Sequence, residues 1–237
     1  MIIGIIAAVT INILVMNHNA KIRIVNLKRT YSVLSQVFKK AEVAHGFMDT
    51  WDISSFTELT SNYTNAQNSF IDTYMIPYLH NGKSYTAKLS DLGYKKGIFY
   101  PDKTTLKWDK EKFVRILKFN DVTSVIVTTD ASNPEENEYH AFKINFYIDT
   151  DGPYKGPNAL GRDIFVYEQW LSHGRNLGMF GEAIGYYDLQ RHKVIITGST
   201  TRNQAKEYCK QVNENSRYCG LLIKKDSWQI SDDYPWK

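Results

Sequence analysis

The sequence predicts an α+β protein in which one long N-terminal helix packs on an antiparallel β-sheet head. Three observations lead to this fold class. No proline interrupts the first 46 residues, an apolar stripe at helical spacing follows the apolar start, and runs typical of β-strands appear after residue 84. With 237 residues, the chain is long enough for one domain of good size or two small ones. We therefore divide it into an N-terminal helix, residues 1–46, and a globular head, residues 47–237.

The first sixteen residues, MIIGIIAAVTINILVM, are apolar at thirteen positions, and no charge precedes Lys21. Sixteen helical residues span about 24 Å, which is short against a hydrocarbon core of about 30 Å. We predict a membrane or assembly helix; a buried core helix is the alternative. A cleaved signal peptide is disfavoured because neither a basic start nor an A-x-A site is present. The residues that carry this prediction are Ile2, Ile3, Ile5, Ile6, Val9, Ile13 and Leu14.

The second half of the helix has a narrow apolar seam. Its residues alternate at spacings of three and four, which places them on one helix face and predicts packing against the head. The seam consists of Ile24, Leu27, Tyr31, Leu34, Phe38, Ala41 and His45. Gly46 follows directly and is a suitable C-terminal cap.

The head alternates between short helices and strands. A helix is predicted over 65–76, ending at Pro77, and a later one over 200–211 with a threonine cap. Residues 142–149, FKINFYID, alternate strictly and predict a strand with one face in the core. Strands are also predicted over 97–100, 104–108, 123–129, 163–168 and 192–197.

Composition and motifs argue against catalysis. The net charge is +4 with no run of five Lys or Arg, so a dedicated nucleic-acid surface is not predicted. The six histidines show no metal-ligand spacing such as H-E-x-x-H, and G-x-S-x-G is absent from the sequence. The glycines at 174, 178, 181 and 185 lack the lysine of a phosphate cradle and predict a surface loop. We predict no catalytic residues and a protein that is not an enzyme.

Three segments resemble the prepilin-type proteins, the family of type IV pilins and type II secretion pseudopilins. They are the start, MIIGIIAAVTINILV…KRTYSVLSQVFKKAEVAHG; the middle, DGPYKGPNALGRDIF; and the ending, YC…YCGLLIKKDSWQI…YPW. The middle and the ending are similar to a minor branch of that family. In the family a basic leader and a G-F-T-L-x-E-type processing site precede the apolar stretch; here they would lie before Met1. Asn12 stands where a helix-kinking proline is common.

The resemblance implies a non-enzymatic structural subunit, a minor pilin or pseudopilin-like protein of a type IV pilus or type II secretion fibre. Its partners would be other pilin or pseudopilin subunits, contacted through the N-terminal helix, and inner-membrane lipid before assembly. It would be a single-pass protein of the cell membrane with an extracytoplasmic head, or part of an extracellular or periplasmic fibre. The alternative function is a membrane-tethered extracytoplasmic domain that binds a ligand or hydrolyses one.

The two cysteines, Cys209 and Cys219, are expected to form a disulfide, as the C-terminal loop of the similar family does. An oxidising compartment favours such pairing. Two free thiols are the alternative.

The loop 149–163, DTDGPYKGPNALGRD, joins two predicted strands and carries an aspartate at each end. One interpretation is a Ca²⁺ site formed by Asp149, Asp151 and Asp163, because Ca²⁺ takes six to eight oxygen ligands in flexible geometry; related pseudopilin heads bind calcium in a loop near the sheet. The other is an elaborate turn, in which the aspartates cap backbone amides, glycines supply positive φ, and Arg162 or Lys155 neutralises the carboxylates. The sequence leaves both open.

Overall fold

The structure of the protein is a computed structural model. It describes residues 2–52, 63–80, 82–104, 113–119, 123–131, 142–171, 184–188, 193–197 and 200–236.

The N-terminal helix, α1, is unbroken from Ile2 to His45. Its 44 residues correspond to a length of about 66 Å. Gly46 follows the last helical residue, and its φ of 85° lies in the left-handed region that glycine adopts without strain. The indole of Trp51 donates a hydrogen bond of 2.9 Å to the Gly46 carbonyl and so fixes the turn after the helix.

Five antiparallel strands form the main sheet in the order β1-β2-β3-β4-β5, each paired with its neighbour in the chain. The strands are β1 (Lys83–Lys88), β2 (Phe113–Lys118), β3 (Ser124–Ala131), β4 (Phe142–Asp149) and β5 (Ile164–Leu171). A separate two-stranded sheet pairs β6 (Ile184–Asp188) with β7 (Lys193–Thr197). The α+β class is therefore confirmed.

One stripe of α1 packs on one face of this sheet. Among the described side chains of α1, the buried ones run from Ile24 to Ala41, as the predicted seam requires. Phe38 is representative: its ring meets Phe146 of β4 edge-on at 5.9 Å and lies parallel to Trp51 at 6.4 Å. Each such fully buried side chain contributes about 1.5–3 kcal/mol. The stripe also includes Leu27, Thr30, Leu34 and Val37.

The opposite face of the sheet is also covered, which corrects the prediction that β4 has only one buried face. Tyr147 of β4 and Ile126 of β3 pack there with Tyr94, Ile98 and Leu160. These last three residues come from loop segments, so their burial depends on tertiary folding rather than on any periodicity of the sequence.

Shorter helices complete the described structure. Helix α2 (Tyr63–Tyr74) leads into a 3₁₀ turn, Ile76–Tyr78, close to the predicted end. Helix α3 (Arg202–Cys209) begins with Thr201 as its cap, and the Gln204 side chain accepts from the Thr201 amide in return. A 3₁₀ helix, Glu214–Tyr218, and helix α4 (Cys219–Lys225) follow.

Three predicted features differ from the structure. Residues 97–100 form no strand, although Phe99 makes a single bridge with Ala159. His45 is exposed rather than part of the seam, and its imidazole Nε2 lies 2.8 Å from the Tyr78 hydroxyl. Gly185 lies in strand β6, not in a loop. The predicted strand 104–108 falls largely outside the described residues, and so do Gly174, Gly178 and Gly181.

Candidate functional site

The loop 149–163 closes the hairpin formed by β4 and β5. Asp149 is the last residue of β4 and pairs with Ile164, the first residue of β5. The Thr150 amide donates to the Asp163 carbonyl at 3.0 Å, and the Thr150 hydroxyl donates to the same oxygen at 2.8 Å. Both terminal aspartates are fully buried at the base of the loop, where the hairpin prediction placed them.

The Asp149 carboxylate is held by three donors. Its Oδ1 accepts from the amides of Asp151 at 3.2 Å and Gly152 at 2.8 Å, which is an Asx turn. Its Oδ2 accepts from the Tyr94 hydroxyl at 2.5 Å. Gly152 has a φ of 89°, so the chain reverses direction directly beneath this carboxylate.

Asp163 organises the other end of the loop. Its Oδ2 accepts from the Asn158 amide and its Oδ1 from the Ala159 amide, each at 2.7 Å. The backbone of Asn158 lies in the left-handed region, with a φ of 54°, and its side-chain amide donates to the Pro153 carbonyl at 2.9 Å. The two terminal carboxylates therefore serve as caps for backbone amides that the loop would otherwise bury without partners.

The middle aspartate connects the loop to α1. Asp151 Oδ2 accepts from Arg23 Nε at 2.7 Å, and the Asn26 side chain donates to the Thr150 carbonyl at 2.9 Å. The expectation that Arg162 or Lys155 neutralises the loop carboxylates is therefore wrong for Asp151. The compensating charge comes from a helix more than a hundred residues earlier in the chain.

Burial changes the acidity of this loop. Desolvation raises the pKa of Asp149 from 3.8 to about 7, against the opposing effect of the hydrogen bonds from Tyr94 and Gly152. Desolvation also raises the pKa of Asp163, again against its two amide hydrogen bonds. Burial beside Asp149 raises the pKa of the Tyr94 hydroxyl, so Tyr94 remains a donor across the accessible pH range.

These contacts favour the turn interpretation of the loop. Among the residues that the structure describes, no group of three or more His, Cys, Asp or Glu side chains is arranged to hold a metal ion. Five of the six carboxylate oxygens of Asp149, Asp151 and Asp163 already accept hydrogen bonds from the protein. The sixth, Asp151 Oδ1, is buried without a partner. Calcium binding stays the alternative interpretation, and the Discussion gives the test that distinguishes the two.

The C-terminal segment fastens the same loop from the other side. Cys209 and Cys219 form a disulfide with their Cα atoms 4.7 Å apart, as predicted, and no described cysteine is free. A Cβ at Gly161 would lie 2.7 Å from Cys219 Sγ, so the loop can approach the bridge only because residue 161 is glycine. The Tyr234 hydroxyl donates to the Gly161 carbonyl at 2.6 Å, and Trp236 Nε1 donates to the Cys209 carbonyl at 2.5 Å.

The described side chains nearest the start of α1 are exposed. Ile2, Ile3, Ile5, Ile6, Val9 and Ile13, predicted as assembly residues, are on the helix, but their side chains are not among those described. Leu14 and Met16 are each 67% exposed and Val15 is 51% exposed. Within the part of the chain covered by the structure, no helix is long and apolar enough to cross a membrane.

The residues that bind the loop to the rest of the protein were not predicted. Tyr94, Arg23 and Asn26 belong to segments that no local motif connects with residues 149–163. Only the position of Arg23 in the sequence indicates such a contact. Because this cation lies next to the buried stripe of α1, an acidic partner is expected near the core.

These features define a class: an α+β protein with a long N-terminal helix on an antiparallel meander sheet, closed by a disulfide-fastened C-terminal segment. A family model described as "Family of unknown function (DUF6613)" matches residues 13–237, and the chain belongs to this family. No curated protein matches the chain. No solved structure matches it either.

Proposed function

We propose that the protein is a non-enzymatic structural subunit, a minor pilin or pseudopilin-like component of a type IV pilus or type II secretion fibre. The observation that carries this proposal is the division of α1. Burial of its described side chains begins at Ile24, and the 22 helical residues before Ile24 correspond to about 33 Å. Within that segment, the first sixteen residues of the chain are apolar at thirteen positions, and the side chains of residues 14–16 are exposed. An exposed apolar stretch of this size requires a second apolar surface.

The junction between the two halves of α1 supports a role in assembly. Arg23 and Asn26 join the helix to the loop 149–163 just where the core begins. The Cys209–Cys219 disulfide and the Tyr234 hydroxyl hold that loop in turn. A force applied along the first half of α1 would thus reach the sheet through polar and packing contacts at one place, as a fibre subunit requires.

The location follows from the same proposal. Before assembly the first half of α1 would lie in the lipid of the cell membrane, and the head would lie outside the cytoplasm. The disulfide supports this side of the membrane, because such bridges persist in oxidising compartments. In the fibre, the apolar half of α1 would pack against equivalent helices of other subunits.

A truncation tests whether the first half of α1 is an assembly segment. A chain that begins at Ala20 keeps Arg23 and Asn26 and should be folded and monomeric without detergent. The full chain should require detergent. A full chain that is soluble and monomeric without detergent would contradict the proposal.

Cross-linking separates the fibre subunit from a membrane-tethered binding or hydrolytic domain, which would also require detergent. The chain has only the two bridged cysteines. Leu14→Cys therefore introduces a single reactive thiol on α1, and Tyr154→Cys, at a residue 83% exposed on the head, is the matched control. In cells, a fibre subunit should cross-link to other subunits through residue 14 far more than through residue 154. Equal, background cross-linking at both positions would favour the tether.

A further inference from the structure

The second half of α1 has an exposed face that carries an unusual distribution of charge. This face lies opposite the buried stripe, and its centre is a row of uncharged side chains spaced seven, four and seven residues apart, which we call the uncharged row. Its residues, all exposed, are Val25, Ser32, Gln36 and Val43. Basic residues flank the row on both sides, and we call the whole surface the basic face. The basic residues, also all exposed, are Lys21, Lys28, Arg29, Lys39 and Lys40.

Among the residues that the structure describes, no acidic side chain pairs with the basic face. None of its five cations forms an ion pair in the described part of the chain. Glu42 is the one acidic residue of α1, and its side chain instead lies 3.4 Å from the Met48 amide, beyond the end of the helix. The face extends over about 33 Å, from Lys21 to Val43, and its positive charges have no ion-pair partner among the described residues.

The uncharged row has the geometry of a helix-packing surface. At 3.6 residues per turn, its four positions stay within about 20° of one line along the helix. Spacings of seven and four residues are also those of positions that face a partner in a heptad repeat. Val25 is 65% exposed and Val43 is 89% exposed, so each has apolar surface to bury, and the short side chain of Ser32 lets a second helix approach between them. Charged residues beside such a row decide which partner is accepted.

The charge of the basic face excludes a second copy of the same face. Pairing two basic faces would bring ten cations together with no acidic residue between them, and like charges in such positions are repulsive. We propose that the basic face docks an acidic helix of a different subunit, with carboxylates flanking a row of uncharged residues. This inference rests on the proposed function and adds to it that contacts along the second half of α1 are made with a different kind of subunit.

A charge-reversed copy of the chain supplies the acidic helix for a test. The reversed variant carries glutamate at the five basic positions of the face, K21E/K28E/R29E/K39E/K40E. The full chains are purified in detergent, so that the first half of α1 is covered, and association is measured by analytical ultracentrifugation. The wild type and the reversed variant should bind each other roughly a hundredfold more tightly than either binds itself, as five exposed ion pairs allow. The complex should dissociate at about 0.5 M salt, where charges are strongly screened.

A matched control keeps the change in net charge and moves it to the head. The control variant, K83E/K95E/K96E/K103E/K155E, reverses five lysines that are exposed and lie outside α1. It should bind the wild type no better than the wild type binds itself. Equal binding by the two variants would overturn the proposal, because net charge alone would then explain association.

Two further outcomes would also overturn it. The first is absence of any complex between the wild type and the reversed variant. In the second, the wild type binds vesicles of phosphatidylglycerol and phosphatidylcholine, the reversed variant does not, and the two proteins do not bind each other. This outcome would assign the face to a lipid surface. Neither outcome affects the truncation and cross-linking tests, so failure of the docking proposal is distinguishable from failure of the proposed function.

Discussion

Replacement of Asp149 by asparagine should remove an unusual dependence of stability on pH. The Asp149 carboxyl has a pKa of 3.8 in an ordinary setting and about 7 in the folded protein, chiefly through burial. Because the folded state holds the proton more tightly, the stabilisation is fully present below about pH 4 and is lost as the pH rises through about 7. This direction is opposite to that of a carboxylate held by a salt bridge.

The magnitude follows from the size of the shift. A change from 3.8 to about 7 corresponds to roughly 4 kcal/mol of unfolding free energy at about 1.4 kcal/mol per pH unit. Asparagine cannot ionise, and its amide can still accept from Gly152 and meet the Tyr94 hydroxyl. Urea unfolding between pH 4 and pH 9, with chelator present, should show a fall in stability for the wild type and a much smaller fall for Asp149→Asn. A residual slope of the same sign is expected from Asp163, whose pKa is also raised by burial.

An exposed aspartate provides the control. Hydrogen bonds from Thr104 lower the pKa of Asp102, so its contribution is lost only as the pH falls below the ordinary range. Asp102→Asn should leave the slope between pH 4 and pH 9 unchanged. A wild-type protein whose stability is constant or rises with pH over this range would refute the reasoning about Asp149.

Three other predictions concern the same loop and its fastening. Removing the disulfide by replacing Cys209 and Cys219 with alanine should cost about 3 kcal/mol, a loop-closure value measurable by urea unfolding, and the denatured, unreduced wild type should show no reactive thiol. Gly161→Ala should lower the melting temperature far more than Gly156→Ala. Both glycines have positive φ, but a Cβ at residue 161 would lie 2.7 Å from Cys219 Sγ, whereas the nearest atom to a Cβ at residue 156 is 3.8 Å away. Millimolar Ca²⁺ should leave the melting temperature equal to that in chelator, because the loop carboxylates already accept hydrogen bonds. A rise in melting temperature that Asp149→Ala abolishes would establish the calcium site instead; Ca²⁺ at about 100 times its dissociation constant would stabilise the fold by about 2.7 kcal/mol.

The elements predicted best are those whose own residues carry their signal. Strand β4 has the predicted bounds, Phe142–Asp149, because alternation over eight residues has only one register that buries its apolar set. The end of α1 at His45 was set by Gly46, and the start of α3 by a threonine cap. The sequence pattern did not predict strands β1 and β2. Strand β1, KSYTAK, lies at the edge of the sheet and is largely exposed, so its pattern is too weak to read without its partner.

What the sequence by itself determined is the layering: a continuous helix with one apolar stripe, an antiparallel sheet to receive it, a hairpin with aspartates at its base and a pair of cysteines near the end. Periodicity, caps and turn residues act over a few residues, and these features need no more than that. Only the tertiary structure decided how the aspartates are satisfied. The donors to Asp149 and Asp151 include Tyr94 and Arg23, which lie 55 and 128 residues away in the chain. A buried carboxylate must find a donor wherever packing brings one, and the sequence carries no local signal for which distant residue that will be.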